Sequence, residues 1–393
     1  MDLWNEIKAL EPDIIADRTY LHRNPELSFQ EYETTRFLKE KLEEFGVQLE
    51  PLDMETGVSA LIQGARPGPT ICIRNDMDAL PIQERTGLPF SSEREGVSHS
   101  CGHDIHAVIA VYCAKLLNER REQLAGNVRI VIQPAEEGGS GAYAMVNAGL
   151  MDFLPKNDIV VGLHVHPAVP AGKISLLKGP AQAASDHFKI TVKGVGGHGA
   201  YPHRCVDPIV VSACLIAQLQ TVISRETMPA KPAVLTFGTV HGGTASNVIP
   251  DEVVLTGTLR SLYPDTRQQN QQAIRRITQC LCRGMRAEGT VEFTNGIPPV
   301  INDGEIVDAI SAAADQVLGP GHTVWEPFPS MGSDDFSVFL DYSRGCQFFV
   351  GSANEDPQTQ IGLHRGENIF DTKSLLTGTG VLTQYIINAL GRS

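Results

Sequence analysis

Three short apolar segments of this 393-residue chain have the pattern of buried β-strands, and each is followed by polar residues. The segments occupy positions 70–73, 128–132 and 159–163. Amphipathic helix patterns at 32–45 and 104–117 alternate with them. Ligands of open α/β sheets bind outside the carboxyl ends of the strands. The order of these segments therefore predicts an α/β domain in which the polar side chains that follow the strands converge.

The middle of the chain has a different pattern, in which alternating strands flank two helices. The strands lie near 187–194, 233–241, 251–260 and 290–293, and the helices begin at Asp207-Pro208 and at Asp265. This β-α-β-β-α-β order is ferredoxin-like. We therefore predict a catalytic domain formed by residues 1–180 and 297–393, interrupted by an inserted domain over residues 181–296.

The composition is that of a soluble globular protein, with 42% hydrophobic and 20% charged residues. A net charge of −14 argues against nucleic acids and anionic membranes as partners. The first residues lack the basic and apolar regions of a signal peptide, and no continuous apolar run reaches the roughly 18 residues of a membrane span. We therefore expect a cytoplasmic protein.

The segment Ser100–His106 combines a thiol, two imidazoles and a carboxylate, which are the side chains that hold first-row transition metals. Most of the eight cysteines lie in apolar patterns typical of buried, reduced thiols, whereas Cys101 precedes Gly102 and His103. The Cys-x-His spacing also occurs by chance, so a buried cysteine beside a capping histidine is an alternative. We interpret His99 and His106 as bystanders.

Glu136 and Glu137 follow the second apolar segment and precede two glycines. Adjacent residues of an extended segment point in opposite directions. One carboxylate could then bind a metal while the other takes a proton from a water that the metal activates. The alternative is a solvated acidic loop.

Two further histidines complete the list of candidate ligands. His164 and His166 follow the third apolar segment, and we favour His164 because Pro167 begins a turn after His166. His364 lies in the glycine-flanked segment 362–366, where an ordinary surface histidine is the alternative.

Other chemistries are less well supported by the sequence. Cys101 and His103 could form a thiol hydrolase dyad, but residues two apart are awkwardly placed for proton transfer. A Gly-x-Ser-x-Gly elbow does not occur. The glycine-rich segment 194–199 lacks the lysine of a phosphate-binding loop and has no Rossmann context.

Several segments together resemble one family, the hippurate hydrolases, N-acyl-amino-acid amidohydrolases and auxin-conjugate hydrolases, a branch of the aminoacylase and carboxypeptidase metallopeptidases. The resemblance spans nearly the whole chain, and its motifs occur in the same order as in the family. The segments that carry it are 22–28 (HRNPELS), 76–81 (DMDALP), 100–106 (SCGHDIH), 133–139 (QPAEEGG), 197–203 (GHGAYPH) and 247–251 (NVIPD).

The resemblance implies a mixed-sheet α/β catalytic domain with a di-metal site of Zn, Mn, Co or Ni, and an inserted lid domain that forms a homodimer or homotetramer. It implies Glu136 as general base, Asp78 as the group that orients a ligand histidine, and His198 as a residue that stabilises the oxyanion, in its own subunit or a neighbouring one. Asn247 and Arg260 would contact the substrate carboxylate. The implied metal ligands are Cys101, His103, Glu137, His164 and His364, with Cys101 where related enzymes have a bridging carboxylate.

From the resemblance and the candidate residues together we expect a metal-dependent amidohydrolase that cleaves N-acyl-L-amino acids, such as acetyl or benzoyl derivatives. The alternatives are a dipeptidase or carboxypeptidase that uses the same site, and an inactive protein that only binds metal or ligand.

Overall fold

The computed structural model describes residues 2–391, which form two compact units. Unit 1 contains the chain up to Gly179, Ile301–Phe328 and the chain from Asp335 onward. Unit 2 contains Pro180–Val300 and Pro329–Asp334. Residues 180, 297–300 and 329–334 were predicted to belong to the catalytic domain, and in the structure they belong to unit 2.

Helices and strands are numbered here in chain order. The first segment of unit 1 contains α1 (Leu3–Arg23), α2 (Tyr32–Glu44), β1 (Gln48–Leu49), β2 (Val58–Gln63), β3 (Arg66–Asp76), α3 (His103–Asn118), β4 (Ala125–Gln133), α4 (Glu136–Gly139), α5 (Gly141–Asn147), β5 (Ile159–Pro170) and β6 (Ile174–Leu176). Next come β7 (Gly179–Gln182), β8 (Ala184–Lys193), β9 (Gly197–His198), α6 (Pro208–Thr221), β10 (Ala233–His241), β11 (Val248–Ile249), β12 (Glu252–Ser261), α7 (Pro264–Gly284) and β13 (Glu288–Ile297). The remaining elements are β14 (Val300–Asn302), α8 (Gly304–Leu318), β15 (Thr323–Trp325), β16 (Arg344–Ala353) and α9 (Lys373–Leu390).

Unit 1 is built on an eight-stranded sheet in the order β1-β2-β4-β3-β5-β16-β6-β15. β3 is parallel to both β4 and β5, and β16 is parallel to β5. β2 pairs with β4 in the antiparallel direction. The sheet is therefore mixed, which confirms the predicted fold class.

Helix α3 lies at the centre of the core of unit 1, and all of its residues except Lys115 are buried. Its neighbour α9 approaches closely at Gly378, where a Cβ atom would lie 2.6 Å from Ile109 Cδ1. Burial of a side chain such as Ile109 contributes about 1.5–3 kcal/mol. The packing therefore gives a rigid support to the first residue of α3, His103.

Unit 2 contains a four-stranded antiparallel sheet in the order β10-β12-β8-β13, which is the ferredoxin-like arrangement predicted from the sequence. Helices α6 and α7 bury apolar residues such as Leu215 and Ile274 with the sheet. The Asp207 carboxylate caps α6 by accepting the Ile209 N–H at 2.9 Å. His187 and Lys189 alternate with buried residues of β8 and are exposed, so the sheet has one polar face.

The stretch Pro208–Glu226 is long and apolar enough to cross a membrane by length and composition, and 33% of it is buried. The sequence analysis found no continuous apolar run of that length. The two results differ because Ser212, Gln218 and Gln220 interrupt the run but leave its average apolar. In the structure Leu215 and Leu219 of this stretch belong to the core of unit 2.

Candidate metal centre

The candidate ligands of unit 1 meet where its central parallel strands carry polar residues. Asp76 ends β3, Glu136 and Glu137 follow β4, and His164 lies within β5. The sequence analysis ended the third strand at His164, but β5 continues to Pro170 as the partner of β16. The predicted convergence of the three strands is present because β3 lies between β4 and β5 in parallel register.

The five predicted metal ligands form two groups that share Cys101. One group is Cys101, His103 and His164, and the other is Cys101, Glu137 and His364. Within each group the ligand atoms all lie within 4.8 Å of one another. Cys101 Sγ is 3.4 Å from His164 Nε2, and Glu137 Oε1 is 3.0 Å from His364 Nε2. One sulfur atom is thus placed between two potential metal positions.

Backbone geometry explains the spacing of Cys101 and His103. Gly102 has φ 83°, which favours glycine, and a Cβ atom there would lie 2.6 Å from Val165 Cγ2. The left-handed glycine allows the chain to turn into α3 directly after Cys101. The thiol and the imidazole can therefore face the same point although they are two residues apart.

A contact at Nδ1 orients each of the two buried imidazoles, those of His103 and His164. His103 Nδ1 lies 3.1 Å from Asp78 Oδ1, and His164 Nδ1 donates to the Val165 carbonyl at 2.8 Å. Each contact holds the proton on Nδ1 and leaves Nε2 for coordination. His103 Nε2 is buried and has no hydrogen-bond partner among residues 2–391.

His364 is held in a loop by the carbonyl of Ser100, which accepts the His364 N–H at 3.1 Å and the Asn368 Nδ2–H at 2.9 Å. Its φ of 61° is unusual for a residue other than glycine. The hydrogen bond with Glu137 raises the pKa of His364. Burial opposes ionisation of Glu137, but the contact with His364 lowers the pKa of that carboxyl to about 2.

The environment of Cys101 is unfavourable for a cysteine nucleophile. Burial and the charge of Glu137 raise the pKa of the Cys101 thiol well above its ordinary value. Activated cysteines instead lie where positive charge lowers the thiol pKa. This argues against the thiol hydrolase alternative, because the thiolate at this position needs a cation to stabilise it.

The donor set fits a divalent transition metal. It combines a thiolate, three imidazoles and a carboxylate, which are ligands suited to Zn, Co, Ni or Mn. The buried Nε2 of His103, which makes no hydrogen bond within residues 2–391, is suited to bind such an ion.

Glu136 and Glu137 begin the short helix α4, so the expectation of an extended segment was wrong. Ala135 has φ 54°, and three successive N–H groups donate to carboxylates. Ala135 N donates to Glu31 Oε1 at 2.8 Å, while the N–H groups of Glu136 and Glu137 donate to the two oxygens of Asp78 at 3.1 and 3.0 Å. Both glutamates can therefore face His103, and the ligand atoms of these three residues lie within 4.8 Å of one another.

The other histidines near the site have different partners. His106 Nδ1 is 2.6 Å from Asp76 Oδ1, and its Nε2 accepts the Val165 N–H at 2.9 Å. His166 contacts the Phe349 ring and accepts the Ala168 N–H. His99 is buried and belongs to neither group that shares Cys101. His166 also belongs to neither of these groups, whereas His164 belongs to one of them.

The predicted substrate residues lie in unit 2. His198 pairs with Val248 across β9 and β11, so it lies next to Asn247, whose carbonyl accepts the Gly199 N–H. Both side chains are exposed. Arg260 lies apart from them on β12 and donates to Ser333 Oγ at 2.5 Å.

Four residues that support the site were not singled out from the sequence. Ser28 donates to Asp78 Oδ2 at 2.7 Å, and Glu31 accepts the Ala135 N–H. Two fully buried arginines also lie behind the ligand residues, where Arg18 pairs with Asp104 at 2.8 Å and Arg74 pairs with Asp335 at 2.6 Å. The only signal in the sequence is that Ser28 lies in the motif 22–28, since the contacts themselves join distant segments.

Comparison with known proteins identifies the family of this chain. The model of peptidase family M20/M25/M40 matches residues 72–388. The chain belongs to this family. It is accordingly a metal-dependent hydrolase that acts on amide bonds.

Curated relatives match most of the chain. It is 40% identical to the N-acetyl-L-cysteine deacetylase of Bacillus subtilis (strain 168) over 346 residues, which cover 88% of this chain and 82% of the relative. It is 38% identical to thermostable carboxypeptidase 2 of Saccharolobus solfataricus over 357 residues, which cover 90% and 89% of the two chains. It is 40% identical to the N-acyl-L-amino acid amidohydrolase of Geobacillus stearothermophilus over 302 residues, 76% of this chain and 81% of the relative.

Among solved structures, the chain is similar to the YXEP protein of Bacillus subtilis, which is described as a dinuclear metal binding peptidase from the M20 family. The TM-score is 0.85 at 34% identity, and the match covers 98% of this chain and 99% of that chain.

Proposed function

We propose that this protein is an amidohydrolase that cleaves N-acyl-L-amino acids into a carboxylic acid and an amino acid. The observation that carries the proposal is the pair of ligand groups that share Cys101, with Glu136 beside them. The deacetylase and amidohydrolase relatives support this substrate class.

In this proposal, Cys101, Glu137 and His364 hold one divalent ion and Cys101, His103 and His164 hold the other. Such a pair of ions lowers the pKa of a water and polarises the amide carbonyl. The thiolate and imidazole donors favour Zn, Co or Ni, and Mn is compatible with the nitrogen and oxygen donors. The effective metal can be identified by removing the ions with a chelator, reloading each ion in turn, and measuring metal content and turnover. A reloaded protein that does not hydrolyse the substrates would support the inactive alternative.

Glu136 is the proposed general base, because its carboxylate lies near His103 and belongs to neither group sharing Cys101. The carboxylates of Asp76 and Asp78 are also near His103, but they contact the Nδ1 atoms of His106 and His103. It accepts a proton from the attacking water and returns it to the leaving amine nitrogen. The Asp78 carboxylate accepts the Glu136 N–H, so it fixes the start of the turn that carries the base.

The lid residues have proposed roles in binding. His198 Nδ1 accepts the Ala200 N–H at 3.1 Å, which leaves the proton on Nε2. That tautomer can donate a hydrogen bond to the oxyanion that forms during attack. Asn247 and Arg260 are the proposed partners of the substrate carboxylate.

We further propose that unit 2 forms a homodimer with a second copy of this chain. β10 is an edge strand with exposed Val234 and Val240, and α6 exposes Ile209 and Val210. Edge strands and apolar faces of this kind are suited to self-association. Sedimentation velocity tests the proposal, and a single monomeric species at micromolar concentration would contradict it.

The substitution Glu136→Gln tests the catalytic assignment. It removes the base but keeps the shape of the side chain, so we expect kcat for an N-acetyl-amino acid to fall by about 10²–10⁴-fold with metal content unchanged. A variant with turnover near that of the wild type would show that Glu136 is not the base.

A carboxypeptidase or dipeptidase activity is the second candidate, because the carboxypeptidase relative covers a similar share of the chain. Acetyl-, benzoyl- and aminoacyl-amino acids assayed side by side distinguish the two. A higher kcat/KM for the aminoacyl compounds would favour the peptidase.

A further inference from the structure

The turn that delivers Glu136 and Glu137 is held by a residue that is distant from it in the sequence. Glu31 is completely buried at the start of α2, yet its side chain does not cap that helix. Its Oε1 instead accepts the Ala135 N–H at 2.8 Å, a contact across 104 residues of sequence. Ala135 is the left-handed residue that immediately precedes the catalytic turn.

The same end of α2 supports the turn from a second side. Thr35 Oγ1 accepts the Gly57 N–H at 3.0 Å, and a Cβ atom on Gly57 would lie 3.0 Å from Pro134 Cδ. Pro134 and Ala135 are therefore enclosed between Gly57 and Glu31. A left-handed conformation is costly for alanine, so it persists only where its surroundings hold it.

We propose that Glu31 is a positioning residue for the hydrolysis reaction, which acts through the backbone of Ala135 to aim the Glu136 carboxylate. The proposal rests on the proposed function, in which Glu136 is the base. The role depends on the reach of a hydrogen-bond acceptor to the Ala135 N–H. It does not require a negative charge, because a neutral carbonyl oxygen also accepts a backbone N–H.

Three substitutions of Glu31 distinguish the effect of side-chain length from the effect of charge. Glu31→Gln keeps an acceptor at full length, Glu31→Asp keeps the carboxylate but withdraws it by about 1.5 Å, and Glu31→Met keeps the length without an acceptor. We expect kcat to fall about 10- to 100-fold in the Asp and Met variants, with KM and metal content within about twofold of the wild type. The Gln variant should retain kcat within about threefold.

The matched control is Glu26→Met. Glu26 is also buried and accepts a backbone N–H, that of Thr34 at 2.8 Å, but it does not bind the turn at Ala135. We expect its kcat to stay within about twofold of the wild type. The proposal is overturned if the Asp variant retains wild-type kcat, if the Gln variant loses as much as the Met variant, or if the control loses as much as either.

Amide hydrogen exchange of the segment 134–138 gives a readout that does not depend on activity. Exchange at Ala135 should be faster in the Asp variant than in the wild type or the Gln variant. If Glu136→Gln proved active, the assignment of Glu136 as the base would fail. Faster exchange in Glu31→Asp would still support the hydrogen bond between Glu31 and the Ala135 N–H. Unchanged exchange in that variant would overturn the positioning role whatever the base is.

Discussion

The substitution Asp78→Asn tests how strongly the site depends on one buried carboxylate. Asp78 is 1% exposed, and its two oxygens accept four hydrogen bonds. Oδ1 accepts from His103 Nδ1 and the Glu136 N–H, and Oδ2 accepts from Ser28 and the Glu137 N–H. Asparagine has the same shape but replaces one of these acceptors with an NH₂ donor.

The expected loss follows from that geometry. If the new NH₂ faces Ser28, the hydroxyl can rotate and accept, but the Glu137 N–H loses its partner. If it faces His103, both the imidazole and the Glu136 N–H lose theirs. One unpaired buried N–H costs about 1–3 kcal/mol, and orienting partners of ligand histidines contribute about 10- to 100-fold to metal affinity. We therefore expect metal affinity to fall by about 10- to 100-fold.

Competition with a chromogenic chelator measures this change for Zn and Mn. Ser28→Ala is the matched control, because it removes only one of the four donors, and we expect an effect below about threefold. An Asp78→Asn protein that binds metal within about threefold of the wild type would refute the reasoning, as would a Ser28→Ala protein that loses as much.

Three further predictions concern other parts of unit 1. Cys101→Ser should lose both metals, because both ligand groups share the thiolate, whereas Cys346→Ser, at another buried cysteine, should retain them in elemental analysis. Arg74→Met should destabilise unit 1 by about 3–5 kcal/mol, because it removes the guanidinium that pairs with the buried carboxylates of Asp76 and Asp335. Urea unfolding followed by tryptophan fluorescence reports on this unit, which contains both tryptophans, and an unchanged transition contradicts the prediction. Burial raises the pKa of Glu31 from 4.5 to about 7, so the stabilising contribution of its protonated form is complete below pH 4.5 and disappears as the pH rises through 7. Between pH 4.5 and 8 the free energy of unfolding of the metal-free wild type should therefore fall by about 3 kcal/mol relative to that of Glu31→Gln. Parallel stability profiles of the two proteins would contradict this.

The strands and the ligand set could be predicted from local patterns. The runs near 70, 128 and 159 become β3, β4 and β5, because buried parallel strands need continuous apolar segments. Cys101 and His103 were recognisable as candidates because thiolate and imidazole are ligands of transition metals, although their spacing also occurs by chance. Glu136, Glu137, His164 and His364 were candidates from their own segments. The family resemblance then implied that Glu137 and the two histidines join Cys101 and His103 in one di-metal site, an arrangement that spacing alone does not contain.

The conformation of the acidic turn could not be predicted in this way. Adjacent glutamates after a strand suggested an extended segment, but Ala135 adopts a left-handed conformation and Glu136 begins a helix. The acceptors that stabilise this turn, Glu31 and Asp78, come from segments far away in the sequence. Local propensity carries no information about such contacts, so the supporting residues became visible only in the structure.

The position of β16 between β5 and β6 has a consequence for synthesis on the ribosome. β16 follows the whole of unit 2 in the chain, yet it lies inside the sheet of unit 1. Most of unit 2 is a continuous segment, which can fold as soon as it emerges. The sheet of unit 1 can be completed only after Arg344–Ala353 has been made, and the candidate ligand set only after His364 has been made. The catalytic centre is therefore among the last parts of the nascent protein to form.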